Sequence, residues 1–317
     1  MNDRMQNGSP AVAELSAIAA LTPPLHAMAE SVRACALAVV ATGARRKKIV
    51  AAESPPPDDD EAEAVHDFRV ALRRLRTVLR VVRKLYGRRR IRAVSTRLKR
   101  YADATGTLRN EEVLRETLAS LELEPGARSA ALAWIGRRAR QEKLHRGSVV
   151  KLLRAELESG LGAALSSLED TLARGPERAG ELPLRELSRA SIDRACSAIH
   201  DAGQVDPADS AAMHELRILF KRLRYTAELF LSVAPGGDAH ERQALAALAK
   251  GATRMQKRLG EVHDLDEALI KMGRAWGLAP EPRAAVVLAL RASRDRVAQR
   301  AISDLTAERA AHDAYRG

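Results

Sequence analysis

The chain contains VHDFRVALRRLR at residues 65–76 and MHELRILFKRLR at residues 213–224, two versions of one pattern. In each segment a histidine is followed by basic residues three, seven, eight and ten positions later. The matching residues are His66, Arg69, Arg73, Arg74 and Arg76, and His214, Arg217, Lys221, Arg222 and Arg224. Each residue of an α-helix advances by about 100°, so offsets 0, 3, 7 and 10 share one narrow sector and offset 8 lies beside it. Both segments are therefore predicted to be helices with a stripe of positive charge.

The apolar residues of both segments fall on a different sector of the helix. They are Phe68, Leu72, Leu75 and Leu79 in the first segment, and Leu216, Phe220, Leu223 and Phe230 in and after the second. Each helix is predicted to bury this side and to hold its stripe beside the buried surface. Two matching stripes in one chain predict two halves that present them to one strongly anionic ligand.

A second pair of similar segments follows in the same order. TGTLRNEE at residues 105–112 aligns with LGEVHDLD at residues 259–266, at an offset slightly longer than that of the first pair. A single loop insertion accounts for the longer offset. Two repeated motifs in the same order predict an internally duplicated domain.

The composition predicts an all-α fold. Of the 317 residues 46% are hydrophobic and only 3% are aromatic, and Ala, Leu, Arg and Glu dominate. Helices are expected at about 24–49, from before His66 to 86, and at 88–103, 110–122, 127–145, 148–173, 184–201, 208–233, 239–258, 264–275 and 281–312.

The predicted domain occupies residues 24–312, after a partly disordered N-terminal extension at residues 1–23. Its first half covers about 24–174 and its second half about 184–312. The segment GPERAGELP at 175–183 is the best candidate for a hinge, because glycine and proline interrupt regular structure.

The net charge of +12 is concentrated in one stretch. Residues 65–100 contain fourteen Lys and Arg against one acid, Asp67. For either stripe alone, a solvated helix face neutralised by acids on partner helices is the plain alternative. The duplication and the uninterrupted continuation of the first stripe through Arg80 and Arg83 favour a polyanionic ligand instead.

Two distant cysteines, Cys35 and Cys196, predict neither a disulfide framework nor a zinc cluster. No stretch is expected to supply the roughly 20 apolar residues that cross a bilayer. The protein is therefore predicted to be cytoplasmic, with no membrane association, no metal and no cofactor.

The duplicated pattern H-x-x-R-x-x-x-[RK]-R-x-R, followed in each half by G-x-x-[RH]-[DN]-x-[DE], resembles the CHAD domain, the conserved-histidine α-helical domain. The likeness spans roughly residues 24–312. It implies two antiparallel helical bundles related by pseudo-twofold symmetry, with basic residues lining a shared groove or pore. It also implies non-catalytic binding of inorganic polyphosphate, with bacterial polyphosphate granules or polyphosphate-metabolising enzymes as further candidate partners. The sequence contains no β-rich CYTH-type triphosphatase module, so a stand-alone CHAD protein is expected.

The resemblance implies a set of ligand contacts by position. In the first half they are His66, Arg69, Arg73, Arg76, Arg80, Arg100 and Arg109, and in the second His214, Arg217, Lys221, Arg224, Lys250, Arg254, Lys257 and His263. Later helices add Arg137, Arg138, Lys151, Arg291 and Arg294.

The two halves differ at several of these positions. Asp103 takes the place of Lys257, and Thr105 replaces the leucine before the motif glycine. Glu228 of the second stripe occupies the position equivalent to Arg80 of the first stripe. The differences at Asp103 and Thr105 predict a less regular first half around its second motif. Glu228 predicts weaker phosphate binding by the second half, so the first half is expected to be the stronger phosphate-binding wall.

Polyphosphate carries about one negative charge per internal phosphate and has no fixed shape. Its affinity should therefore rise with chain length and fall with salt. A bound anion favours the charged form of His66 and His214, so we expect binding to tighten as the pH falls toward 6.

Three other functions compete with polyphosphate binding. A sequence pI of about 10.2 suits a nucleic-acid binder, but few aromatic residues are available for base stacking, so only nonspecific phosphate contacts are expected. The doublets His66–Asp67 and His263–Asp264 suggest an HD-type metal phosphohydrolase, although the surrounding cations disfavour a metal. A helical scaffold that binds an acidic protein stays open.

Overall fold

The computed structural model describes residues 16–49, 59–176, 182–233 and 239–316. They form the helices α1 (Ala17–Ile49), α2 (Asp59–Val82), α3 (Arg88–Ala119), α4 (Pro125–Glu156), α5 (Ala163–Ala173), α6 (Leu184–Asp201), α7 (Ser210–Val233), α8 (Ala239–Gly273) and α9 (Pro280–Arg316). A π-helical segment, Leu157–Gly162, joins α4 to α5. The all-α prediction is confirmed, because these described ranges contain no strand and only an isolated bridge between Ser16 and Pro183.

Several helices are longer than predicted. α3 continues through Gly106, and α8 continues through Gly260, where the sequence predicted breaks. An interior glycine costs a helix about 1 kcal/mol relative to alanine. In α3 this cost is offset by burial on both sides of the glycine, where Leu98 and Leu108 are fully buried.

The first helix begins earlier than the expected residue 24. α1 starts at Ala17 and contains Pro23 and Pro24. Its early turns persist because Ala17, Leu21 and Leu25 are fully buried in the core. Residues 1–15 of the predicted extension and residues 177–181 of the predicted hinge lie outside the described residues.

α1 also corrects the expectation about membrane-spanning length. Over Ala17–Gly43 it is long and apolar enough to cross a bilayer by length and composition alone. Its side chains at Leu25, Val32 and Val39 are fully buried in the core, and α1 packs mainly on α2. One face of α1 is therefore buried in the protein, and 28% of this apolar stretch is buried in all.

Successive helices of the chain pack together, and several helices of the first half pack against helices of the second half. α1 packs on α2 and α6 on α7, while α3 packs on α4 and α8 on α9. Four helices of the first half also contact a helix of the second half: α1 meets α6, α2 meets α7, α3 meets α8 and α4 meets α9. Such contacts are what a pseudo-twofold arrangement produces, and the internal duplication stays a prediction.

Two apolar cores stabilise this arrangement. The larger core collects side chains from most of the helices, including the apolar sectors of α2 and α7. The smaller core joins the C-terminal parts of α3 and α8 to the N-terminal parts of α4 and α9, around Leu114, Trp134, Met272 and Leu290. The larger core thus holds the two striped helices side by side.

Candidate functional site: a cationic pocket between two matching helices

The apolar sectors predicted for the two striped helices are buried. In α2, Phe68 and Leu75 are fully buried, and in α7 the same is true of Phe220 and Leu223. Because the apolar sectors face the core, the stripes are held at its edge. α2 and α7 contact each other, which brings the two stripes together.

A cavity of about 450 Å³ lies where the two stripes meet. We call it the cationic pocket. It is lined by His66, Arg69, Val70, Arg73, Arg76, Thr77 and Arg80 of α2, Ala102, Asp103, Thr105 and Arg109 of α3, and Ile218, Lys221 and Arg222 of α7. Seven of these side chains are Arg or Lys, and Asp103 is the one carboxylate among them.

Arg69 is anchored at the α3 wall of the cationic pocket. Its Nη1 donates to the carbonyl oxygen of Thr105 at 2.7 Å. The buried Thr105 hydroxyl in turn lies within hydrogen-bonding distance of the Tyr101 carbonyl, at 3.1 Å. Burial, followed by the positive charges of Arg73 and Arg109, lowers the pKa of Arg69 to about 10. Even so, the guanidinium stays charged at neutral pH.

Lys221 of α7 lies in the wall of the cationic pocket. Burial lowers its pKa to about 8, and the neighbouring charges of Arg73 and Arg217 act in the same direction. Burial likewise lowers the pKa of Arg76 and of Arg80. The pocket therefore concentrates positive charge in a partly desolvated place, which favours a bound anion.

The two repeated motifs of the second half meet beside this pocket. His214 of α7 and His263 of α8 have their Nδ1 atoms 3.3 Å apart, within hydrogen-bonding distance. Burial and the charge of Arg217 lower the pKa of His263 to about 4, so this ring is neutral near pH 7. Burial raises the pKa of Asp264, against the opposing effect of Arg217.

Tyr225 and Arg222 lie near the stripes but were not predicted as ligand contacts. The Arg73 guanidinium lies 5.7 Å from the ring centroid of Tyr225, which supports it by a cation–π contact. Arg222 lines the cationic pocket, although its helical offset places it beside the stripe. The repetition of a basic residue at this offset in both motifs was the available signal for Arg222.

Arg224, the second-half equivalent of Arg76, does not line the cationic pocket. Its Nε donates to Glu228 at 2.6 Å, one helical turn later in α7. Its guanidinium also stacks over Tyr225 at 5.4 Å. The acid that interrupts the second stripe therefore neutralises one of its cations.

The remaining predicted contacts lie outside the pocket lining. Arg100 pairs with Glu156 and Arg254 with Glu308 at distances of 2.5 and 2.7 Å. Lys151, Lys250, Lys257 and Arg291 are exposed on α4, α8 and α9. These six residues are thus surface cations.

Three further predicted contacts have structural partners between helices. Arg137 donates to the carbonyl oxygen of Gly277 at 2.8 Å. Arg138 makes two hydrogen bonds to Glu111, and Arg294, only 5% exposed, binds Asp266 at 3.0 Å. The structure does not bring these three arginines to the cationic pocket.

The fold and the site together define the class: an all-helical protein in which two matching helices form the walls of a cationic pocket. The CHAD domain family model matches residues 41–273. The chain belongs to the CHAD domain family, as its duplicated motifs predicted.

Two solved structures have the same fold. The crystal structure of the CHAD domain from the plant Ricinus communis superposes with a TM-score of 0.64 at 20% identity, covering 99% of this chain and 97% of that one. PptA from Streptomyces chartreusis superposes with a TM-score of 0.60 at 18% identity, covering 93% of this chain and 99% of that one. No curated protein matches the sequence.

Proposed function

We propose that this protein binds inorganic polyphosphate without catalysis, with the cationic pocket as the central part of the binding surface. The observation that carries the proposal is the pocket wall, in which seven Arg and Lys side chains face one carboxylate, Asp103. Membership of the CHAD domain family agrees with this ligand. Binding at cytoplasmic polyphosphate granules is part of the same proposal.

The chemistry of the wall suits a chain of phosphates. Arginine presents its N–H donors as a planar fork that matches phosphate oxygens, and lysine supplies a compact charge. The site collects charge from three helices and so does not depend on one ideal contact. We therefore expect affinity to increase with polyphosphate length and to decrease steeply as salt rises.

The first prediction concerns the α2 wall. Combining His66→Ala, Arg69→Ala and Arg73→Ala should weaken binding of long-chain polyphosphate at least ~100-fold, because each lost charge-assisted contact is worth about 1.5–3 kcal/mol. Isothermal titration calorimetry at fixed salt measures the effect, and thermal unfolding checks that the variant is folded.

A matched control variant separates the effect of the pocket residues on affinity from the effect of the overall positive charge. Arg128, Arg274 and Arg296 are exposed and lie outside the pocket lining. Replacing these three by alanine removes three arginine charges, at least as much positive charge as the α2 triple variant loses, and should change affinity less than ~3-fold. Equal losses in the two triple variants would contradict a specific site.

Two assays on the wild-type protein distinguish polyphosphate binding from the alternative functions. Long-chain polyphosphate should displace bound DNA at physiological salt, whereas a nucleic-acid binder would retain it. Phosphate release from polyphosphate with added Mg²⁺ or Mn²⁺ should not exceed that of protein-free controls. Release above the control would establish a hydrolase and overturn the non-catalytic proposal.

A further inference from the structure

Lys221 differs from the other basic residues of the cationic pocket. It is the one lysine among the lining residues, and the other basic residues there are arginines and His66. The charges that lower the pKa of Lys221 come from Arg73, Arg217, Arg76 and Arg69, and Asp103 is the one carboxylate that lines the same cavity. Its amine is thus held in a small cavity where the surrounding groups recognise phosphate and oppose protonation.

We propose that Lys221 is a site of covalent acylation by small acyl phosphates, a class that carries an activated carbonyl next to a phosphate. The phosphate binds the arginines of the α2 wall, which places the carbonyl carbon inside the cavity of about 450 Å³ with the Lys221 amine. The inference rests on the proposed function only through the anion-binding pocket and does not require polyphosphate to be the natural ligand.

The reaction balances without any further reactant. The lone pair of uncharged Lys221 Nζ attacks the carbonyl carbon, and a C–N bond forms. The C–O bond to the phosphate breaks, and inorganic phosphate leaves with that electron pair. The nitrogen loses one proton to the departing phosphate or to water, which leaves a neutral amide on Lys221.

Burial and the nearby positive charges favour the uncharged form of the Lys221 amine, which is the nucleophile. In the free protein, burial and then Arg73 and Arg217 lower the pKa of Lys221 to about 8, so a substantial fraction of its amine is uncharged near neutral pH when the reagent enters. An ordinary exposed lysine, with a pKa of about 10.4, is almost wholly protonated under the same conditions. The arginines keep their charge, so the cavity still binds the phosphate of the reagent.

Acylation would change the pocket in two ways. The amide removes one positive charge from the α7 wall, and the added acyl group occupies part of the cavity. Both changes oppose binding of a polyanion. Acylation of Lys221 would therefore reduce the capacity for polyphosphate in proportion to the modified fraction.

The test uses the whole wild-type protein and acetyl phosphate at about pH 7.5. Quantitative peptide mass spectrometry follows acetylation at Lys221 and, in the same sample, at the exposed Lys151, Lys250 and Lys257. We expect Lys221 to react on the order of 10-fold faster than these references, since more of its amine is uncharged. A rate at Lys221 equal to or below the references overturns the proposal.

Two further arms test recognition of the phosphate. N-hydroxysuccinimide acetate carries no phosphate, so it should show a smaller preference for Lys221 than acetyl phosphate does. Arg73→Gln should reduce the preference for Lys221 more strongly with acetyl phosphate than with N-hydroxysuccinimide acetate, because Arg73 lowers the pKa of Lys221 for both reagents but binds the phosphate of only one. An equal preference with both reagents would mean that the amine is reactive without phosphate recognition, and would contradict the assignment to acyl phosphates.

Long-chain polyphosphate added before acetyl phosphate separates this inference from the proposed function. Selective protection of Lys221 supports both. A clear preference of acetyl phosphate for Lys221 that polyphosphate does not suppress would contradict polyphosphate binding in the pocket and leave the acylation site standing.

Discussion

At the scale of single residues, Lys221 and Arg69 are cations held where water is partly excluded. Burial lowers the pKa of Lys221 to about 8 and that of Arg69 to about 10. A lowered pKa in a basic group means that its charged form is disfavoured in the free protein. A bound anion removes part of this penalty, so the free energy of binding includes relief of repulsion as well as new contacts.

Polyphosphate binding should therefore depend on pH. The free protein loses the Lys221 proton as the pH rises through about 8, and a bound polyanion holds that proton, so binding takes up protons in this range. Affinity should fall about 10-fold between pH 7 and pH 9.5, a range in which the arginines stay largely charged. Calorimetric titrations in buffers of different ionisation enthalpy measure the proton uptake.

Lys221→Arg supplies the matched control, because it keeps the positive charge across this range. Its affinity should be nearly flat between pH 7 and pH 9.5. A wild-type affinity that rises with pH, or an equally steep fall in Lys221→Arg, would contradict the assignment to Lys221. The expected tightening toward pH 6 concerns His66 and His214 and stays a separate prediction.

At the scale of helices, α2 and α7 carry equivalent stripes in unequal surroundings. α2 supplies His66 and four arginines to the pocket lining, whereas α7 supplies Lys221 and Arg222. The Glu228 carboxylate of α7 binds Arg224 and occupies the position equivalent to Arg80. The composition of the pocket therefore agrees with the prediction that the first half is the stronger wall.

Arg76 and Arg224 test this asymmetry, since they occupy equivalent positions of the two motifs. Arg76 lines the cationic pocket, and Arg224 is paired with Glu228 outside it. Arg76→Ala should weaken polyphosphate binding by about 1.5–3 kcal/mol, or at least ~10-fold, and Arg224→Ala by less than ~3-fold. Fluorescence anisotropy with labelled polyphosphate compares them, and a larger loss for Arg224→Ala would reverse the assignment of the two walls.

At the scale of the whole molecule, composition predicted the all-α class, and helical periodicity predicted the two stripes and the buried apolar sectors. These features depend on residues within a few turns of each other, and burial of Phe68 and Phe220 confirms them. The helix ends were less predictable. Gly106 and Gly260 are local signals for a break, but long-range packing keeps both within continuous helices.

The pocket depends on contacts that sequence spacing does not contain. The hydrogen bond from Arg69 to Thr105 joins α2 to α3, and the contact between His214 and His263 joins α7 to α8. Some cations pair with acids that are distant in the sequence, as Arg254 does with Glu308. This pairing affects which cations are available to a ligand. A motif identifies candidate cations, and the folded chain determines their partners.

The most direct test of the central claim is a crystal structure of the wild-type protein with polyphosphate of defined length. We expect a chain of phosphates in the cationic pocket between α2 and α7, with oxygens within about 3.2 Å of Arg73, Arg76 and Lys221 nitrogens. An empty pocket in a complex whose phosphates lie elsewhere, for example along Arg88, Arg89 and Arg92 of α3, would contradict it.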